Sequence, residues 1–410
     1  MPKVVELKPR RIGSLDKVKS KKYSLQFLPE SLEPHVQNTY IDFKSYRLKS
    51  SYFVDIVHNL LLKYYFKKDN SFNLSSLILK EKYGDKYNYY MSFLVEKDIL
   101  QIIRNHQKGK NARVYKLNNS ILSGRINRFR NQDKVLLKKY RSAICSIEDD
   151  SNLTNGIDSD IKKKLVNDLF HVDIDFAKSI FYLDNTTQDT DIYNKNKYSV
   201  ECINDNHIFY HFDEYGRLHT NFTILKSYIR KNCLLIDGEE TCEIDIHNSQ
   251  PLFLYKLIKQ NDLFIVNEKE LEFFKNLTVR GLFYQYLIDK SEGVFTKKEI
   301  KEMTYKVLFG RNYKNPQDDL FSSLFPTIYK FIKSYKRDNG NYKILSYSLQ
   351  REESEVIFNK IVKKVMNLYP YIKIISVHDS LICPIKYKEE AKEIFCKVLN
   401  EEFNTDIFNI

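Results

Sequence analysis

The stretch from Thr241 to Leu257, TCEIDIHNSQPLFLYKL, changes its periodicity within a single turn. Cys242, Ile244 and Ile246 alternate with Glu243, Asp245 and His247, the period of a half-buried strand. Ser249 and Pro251 then read as the cap and first turn of a helix. Asp245 is thereby placed near the end of a strand. A second pair of buried strands, Ile372 to Ile375 and Leu381 to Ile385, is interrupted by Ser376-Val377-His378-Asp379-Ser380, which puts another aspartate at the tip of a hairpin. Two aspartates on adjacent strand ends can hold a pair of Mg²⁺ ions, because Mg²⁺ prefers one or two carboxylates plus substrate phosphates to an all-protein cage.

Taken alone, an aspartate after a strand is most often a turn or cap residue. A third element lies between the two, Phe295 to Gly310, FTKKEIKEMTYKVLFG. Lys297, Lys301, Tyr305 and Phe309 recur every four residues, so on a helix they form one drifting stripe with two cations at one end and two aromatic rings at the other. Such a stripe can grip a triphosphate and its base. Without the flanking aspartates it would read as a solvated lysine face beside a core stripe.

The three elements together resemble the motifs of family A DNA polymerases and of the related single-subunit, phage-type RNA polymerases. The first motif is matched by Asp245-Ile246-His247-Asn248-Ser249-Gln250, the fingers helix by Lys297, Lys301, Tyr305 and Phe309-Gly310, and the His-Asp hairpin by Val377-His378-Asp379-Ser380. Gly216-Arg217-Leu218-His219-Thr220 looks like the family's Gly-Arg stretch, and Gln350, after Leu345-Ser346-Tyr347-Ser348, looks like its template-facing glutamine. The likeness covers roughly the last half of the chain.

The resemblance implies that Asp245 and Asp379, with the carbonyl of Ile246, hold two Mg²⁺ ions, for which Mn²⁺ can substitute. It implies that Lys301 neutralises charge and protonates pyrophosphate. Lys297 would take the triphosphate tail, and Tyr305, Phe309 and Gly310 would pack against the base or template. Arg217, Gln350 and His378 would face the primer-template. Two departures stand out: Ser380 replaces the second carboxylate that many members carry, and Lys297 stands where arginine is usual, which keeps the positive charge but cannot grip a phosphate in bidentate fashion. Gln250, five residues after Asp245, faces the sugar in this family; it keeps bulk without charge, and Phe309 offers no hydroxyl to a ribose. The expectation is a DNA polymerase without proofreading exonuclease that discriminates imperfectly against ribonucleotides and replicates a mobile or extrachromosomal element. The alternatives are a single-subunit RNA polymerase or primase, and a non-catalytic winged-helix replication initiator or DNA-binding regulator. The expected partners are a DNA primer-template and nucleoside triphosphates, with RNA as a variant template or product.

Composition agrees with a polyanionic partner: the 410 residues carry a net charge of +13. With 42% hydrophobic residues the chain can bury substantial cores. Its six cysteines, Cys145, Cys202, Cys233, Cys242, Cys383 and Cys396, include no Cys-x-x-Cys pair, so neither a zinc site nor a disulfide framework is indicated and a reducing, cytoplasmic compartment is expected. No apolar run approaches the ~20 residues of a membrane span, and no signal-peptide core is seen.

The expected fold class is α+β, in four parts. Residues 1–50, with Lys8, Arg10, Arg11, Lys17, Lys19, Lys21 and Lys22, read as a mobile basic arm or a solvated tail. Residues 51–120 read as three helices followed by a hairpin, which resembles a winged-helix module. That likeness places Lys86, Tyr87 and Asn88 on a recognition helix and Lys108, Lys110 and Arg113 on a wing; some winged helices bind only protein. Residues 121–205 read as a helical thumb-like region, with helix from Asp160 to Phe181 and a linker from Asp149 to Asp158 that contains Asn155-Gly156. Residues 206–410 read as a palm with an antiparallel sheet and helical fingers. Between Gln101 and Tyr140, eleven Lys or Arg face one acid, Asp133, and Arg125, Arg128, Arg130, Lys134, Lys138 and Lys139 extend the basic surface beyond the wing. His207 and His211 share a strand face but have no third ligand nearby, and Asp173-Ile174-Asp175 lacks the companions of a nuclease site.

Overall fold

The computed structural model describes residues 22–67, 70–106, 112–145, 156–261, 264–313 and 318–408, a mixed α and β chain with antiparallel strand pairs. It forms two compact units. The first comprises Met1–Asp150, Val172–Tyr210 and Thr220–Leu234; the second comprises Ser151–His171, His211–His219 and Leu235–Ile410.

In the first unit the three expected helices form at Ser50–Lys67, Ser76–Tyr83 and Tyr87–Glu96. Phe53, Val54, Val57, Leu60 and Leu61 are the buried face of the first of these. Strands Leu100–Arg104 and Val114–Leu117 pair antiparallel as expected. A short strand that the periodicity does not reveal, Ser71–Asn73, adds to Val114–Leu117, with Phe72 opposite Tyr115. Three residues are too few for alternation to stand out. Lys108 and Lys110 lie outside the described residues.

The arm expected over 1–50 gives way to folded chain from Ser24 onward. Ser24–Pro29 pairs along its length with Ile126–Asn131, and Tyr40–Phe43 pairs with Tyr46–Lys49. Ser24–Pro29 is buried throughout because its polar groups find internal partners. The Gln26 amide donates to Asp55 at 2.6 Å, Phe27 N–H to His58 Nδ1 at 3.1 Å and Leu25 N–H to His207 Nε2 at 3.2 Å. Burial drops the His58 pKa to about 4, which keeps that nitrogen a bare acceptor. His207 is thus a core histidine of the first unit.

The thumb-like region does not hold together as one element. The helix expected from Asp160 to Phe181 breaks into Ser159–Asp168 and Phe176–Thr186, with strand Val172–Ile174 between them, and the two pieces fall in different units. The break is local chemistry: Asp175 caps the second helix by accepting from Lys178 N–H at 2.9 Å.

In the second unit, strand Ser380–Pro384 lies between Ile375–Val377 and Glu239–Asp245, and Glu239–Asp245 turns back on Leu234–Ile236. Helix Ser249–Lys259 is buried from Pro251 to Ile258 and packs on helix Ile344–Ser354. Helix Lys388–Phe403 covers the strands, burying Ile394, Phe395, Val398 and Leu399. Phe274, Phe283, Phe321 and Phe325 form a second, aromatic core, ring centroids 5.2 to 6.3 Å apart. No helix among the described residues is long and apolar enough to cross a membrane.

Candidate active site

Ile244 pairs with Leu381 and Asp245 with Ser380, while Val377 meets Ser380 from the other side. His378 and Asp379 are therefore the whole of a two-residue turn. His378 has φ of 55°, a left-handed conformation uncommon outside glycine for which histidine, like asparagine and aspartate, is enriched. Asp379 stands one residue beyond the rung that Asp245 shares, so both carboxylates lie at one end of the paired strands. Asp245 is exposed and Asp379 half-buried.

Burial raises the Asp379 carboxyl above its ordinary value, the Ser249 hydroxyl and the Arg217 guanidinium pull it back, and Glu243 adds to the rise. Such a site favours an added cation. Among the described residues no group of three or more His, Cys, Asp or Glu side chains converges to hold a metal. Two carboxylates suit Mg²⁺, whose other ligands would be phosphate and water oxygens.

The chain enters the next helix through Asn248, whose φ of 57° makes it the left-handed N-cap. Ser249, expected to be the cap, is instead the first helical residue. Its hydroxyl serves carboxylates, lying 3.3 Å from Glu353 Oε2 and bonding Asp379.

Glu353 is the residue that sequence reasoning missed. It is 2% exposed; its Oε2 takes the Gln250 amide at 2.6 Å and Arg217 Nη2 at 2.9 Å, and the same Arg217 nitrogen lies 2.7 Å from Oε1 in a buried ion pair. Burial, with Asp379 nearby, pushes its pKa up to about 7 against the pull of Arg217 and Ser249. Arg217 reaches it from a turn built by Asp213, whose Oδ1 accepts from Tyr215 and Arg217 N–H, both at 2.9 Å. Gly216 has φ of 88°, and a Cβ there would lie 3.1 Å from Ser354 Cβ, so the turn crosses the helix only as glycine. Arg217, expected on the primer-template, is thus committed to a buried ion pair.

Helix Lys297–Phe309 begins with a Thr296–Glu299 capping box. Ile300, Met303, Thr304, Val307 and Leu308 are buried, while Lys297, Lys301 and Tyr305 are exposed and Phe309 is half-buried. Tyr305 and Phe309 stack at 5.7 Å. Lys301 Nζ lies 5.3 Å from the Tyr284 ring. Burial, the hydrogen-bonded Tyr305 hydroxyl and the Asp379 charge together raise the Tyr284 phenol. At the helix end a Cβ on Gly310 would come 2.4 Å from Lys306 O, leaving room for glycine alone. Lys336, 1% exposed, caps the helix through Val307 O at 2.7 Å and Gly310 O at 2.9 Å.

Gln350 bonds Ser346 within its own helix at 3.1 Å, and His378 meets His219 edge-on at 6.3 Å. In the first unit Lys86 and Asn88 are exposed and Tyr87 half-buried at the start of the third helix, and Arg113 is exposed. Arg125 and Arg128, expected on nucleic acid, are paired with Asp184 at 2.9 Å and Glu201 at 3.3 Å.

No family model matches the chain. Protein Ycf2 of Marchantia polymorpha is 32% identical over 129 residues, 31% of this chain; the chain spans about 5% of that protein's length. A solved structure of the POL domain of Pol1 from M. smegmatis, in complex with DNA primer-template and dNTP, is similar with a TM-score of 0.41 and 10% identity, covering 71% of this chain and 74% of that one.

Proposed function

We propose that this protein is a template-directed nucleotidyltransferase that makes DNA. What supports it is one arrangement in the second unit: Asp245 and Asp379 at one strand end, and a helix that carries Lys297, Lys301 and Tyr305 exposed along one stripe with Phe309 half-buried at its end. Those strands correspond to a palm and that helix to fingers.

In this reading Asp245 and Asp379, with the carbonyl of Ile246, hold two Mg²⁺ ions; Mn²⁺ would serve the same donors. When bound, the metal pair supplies acidification of the primer 3′-hydroxyl and charge compensation on departing pyrophosphate. Lys297 and Lys301 attract the triphosphate, and Lys301 donates a proton to the leaving group. Tyr305 and Phe309 stack on the base or template. Gln250 occupies the space beside the sugar, and an unpaired hydroxyl there costs about 1 to 3 kcal/mol, disfavouring ribonucleotides by roughly one to two orders of magnitude. In the first unit, the order helix, strand, two helices, two strands supports a winged-helix module that holds duplex DNA through Lys86, Asn88, Arg113 and the wing lysines Lys108 and Lys110.

Competing dNTPs and NTPs on one primed template test this. Extension with dNTPs preferred is expected, and Gln250→Ala should raise ribonucleotide use. A wild-type preference for NTPs would overturn the DNA assignment. Protein that never extends a primer with Mg²⁺ or Mn²⁺ would leave the initiator reading.

A further inference from the structure

Gln250 is a flexible residue, and flexibility is a poor basis for excluding a hydroxyl. Its amide nitrogen is fixed at 2.6 Å on Glu353 Oε2, an oxygen that also takes Arg217 Nη2 at 2.9 Å and lies 3.3 Å from Ser249 Oγ. That oxygen already accepts from the Arg217 guanidinium, which only donates, so it meets Gln250 as an acceptor too, and the amide nitrogen is the end that faces Glu353. The Gln250 oxygen, turned the other way, is buried and makes no hydrogen bond among the described residues. Glu353 is itself held in place: it is buried in the helix Ile344–Ser354, and Arg217 Nη2 lies 2.9 Å from its Oε2 and 2.7 Å from its Oε1.

We propose that Glu353 is a positioning residue for sugar selection: it clamps the Gln250 side chain in the one rotamer that fills the space beside the incoming nucleotide's 2′ carbon. The inference rests on the polymerase reading and adds a residue outside the motifs that carry it. Without the clamp, Gln250 can swing aside and admit the 2′-hydroxyl, so removing Glu353 and removing Gln250 act at the same place. Mutations that act through one shared interaction do not add.

The test compares wild type, Gln250→Ala, Glu353→Ala, the double variant and Glu353→Gln, all full-length. It reads the dNTP over NTP ratio of kcat/KM on a primed template. The same ratio is also read as equilibrium binding of each nucleotide to protein on a dideoxy-terminated primer-template, which needs no chemistry. Gln250→Ala and Glu353→Ala should each lower the ratio about tenfold, and the double variant should also lower it about tenfold, not a hundredfold. Glu353→Gln, whose carbonyl oxygen can still accept the Gln250 amide, should stay within about threefold of wild type, which also covers the case of a poorly folded Glu353→Ala. An unchanged ratio in a folded Glu353→Ala protein overturns the clamp, as does a hundredfold effect in the double variant or a tenfold loss in Glu353→Gln. Wild type that binds nucleotide but does not extend would sink the polymerase reading while the binding ratios still decide the clamp; wild type that binds no nucleotide overturns both.

Discussion

Lys336 is a cation held where water is scarce, and its pKa is lowered by burial, with Lys333 adding to the effect, to about 8. The unfolded chain holds that proton up to about pH 10.4, so between those values the unfolded state binds more protons and stability rises with pH. Relative to Lys336→Met, wild type should gain on the order of 3 kcal/mol between pH 8 and pH 10.5, and that gain should be absent below pH 8. Denaturant titrations of both proteins across that range read it directly; a difference that does not vary with pH would contradict a buried ammonium. Residues of this kind are the ones that the sequence hides. Glu353 sits in Arg351-Glu352-Glu353-Ser354-Glu355, a run that looks like a solvated face, and only the helix rotation turns Glu353 inward. Asp245, Asp379 and the four-residue stripe were legible because each is marked by its own neighbours, through alternation, a turn or a repeat. Glu353, Tyr284 and Lys336 take their meaning from groups distant in the chain.

Elements with a long period were legible as well: the helices at 50–67, 76–83 and 87–96 and the pairing of 100–104 with 114–117 lie close to where hydrophobic spacing puts them. Strand Ser24–Pro29 was not, because its stability comes from Asp55, His58 and His207, and nothing local marks it as buried. Strand Ile126–Asn131 was obscured by its charges. Arg125, Arg128 and Arg130 read as a surface for phosphates, yet Asp184, Glu201 and Asp205 answer them. The two classes of arginine should separate in experiment. Arg113→Ala should flatten the log–log salt dependence of duplex binding by about one. Arg128→Ala removes the ion-pair partner of Glu201, which is 5% exposed and keeps only the charge of Lys197, and should lower stability by about 1 to 3 kcal/mol with little change in that slope. Equal slopes for Arg113→Ala and wild type would place the phosphate contacts elsewhere.

At the scale of the molecule, the residues that carry the proposed chemistry all belong to the second unit, and the exposed bases of the third helix and of the segment around Arg113 belong to the first. Nucleic-acid binding and phosphoryl transfer should therefore be separable by mutation. Replacing Asp245 or Asp379 should remove chemistry while leaving the duplex-binding surface untouched, since carboxylates that face metals repel phosphate when no metal is present. The decisive measurement is primer extension with Mg²⁺ by wild type, Asp245→Asn and Asp379→Asn, alongside fluorescence anisotropy of the same primer-template. Wild type should extend, both variants should fall to background, and all three should bind DNA with affinities within a few-fold of one another. Extension that survives in either variant would contradict a chemistry built on these two aspartates.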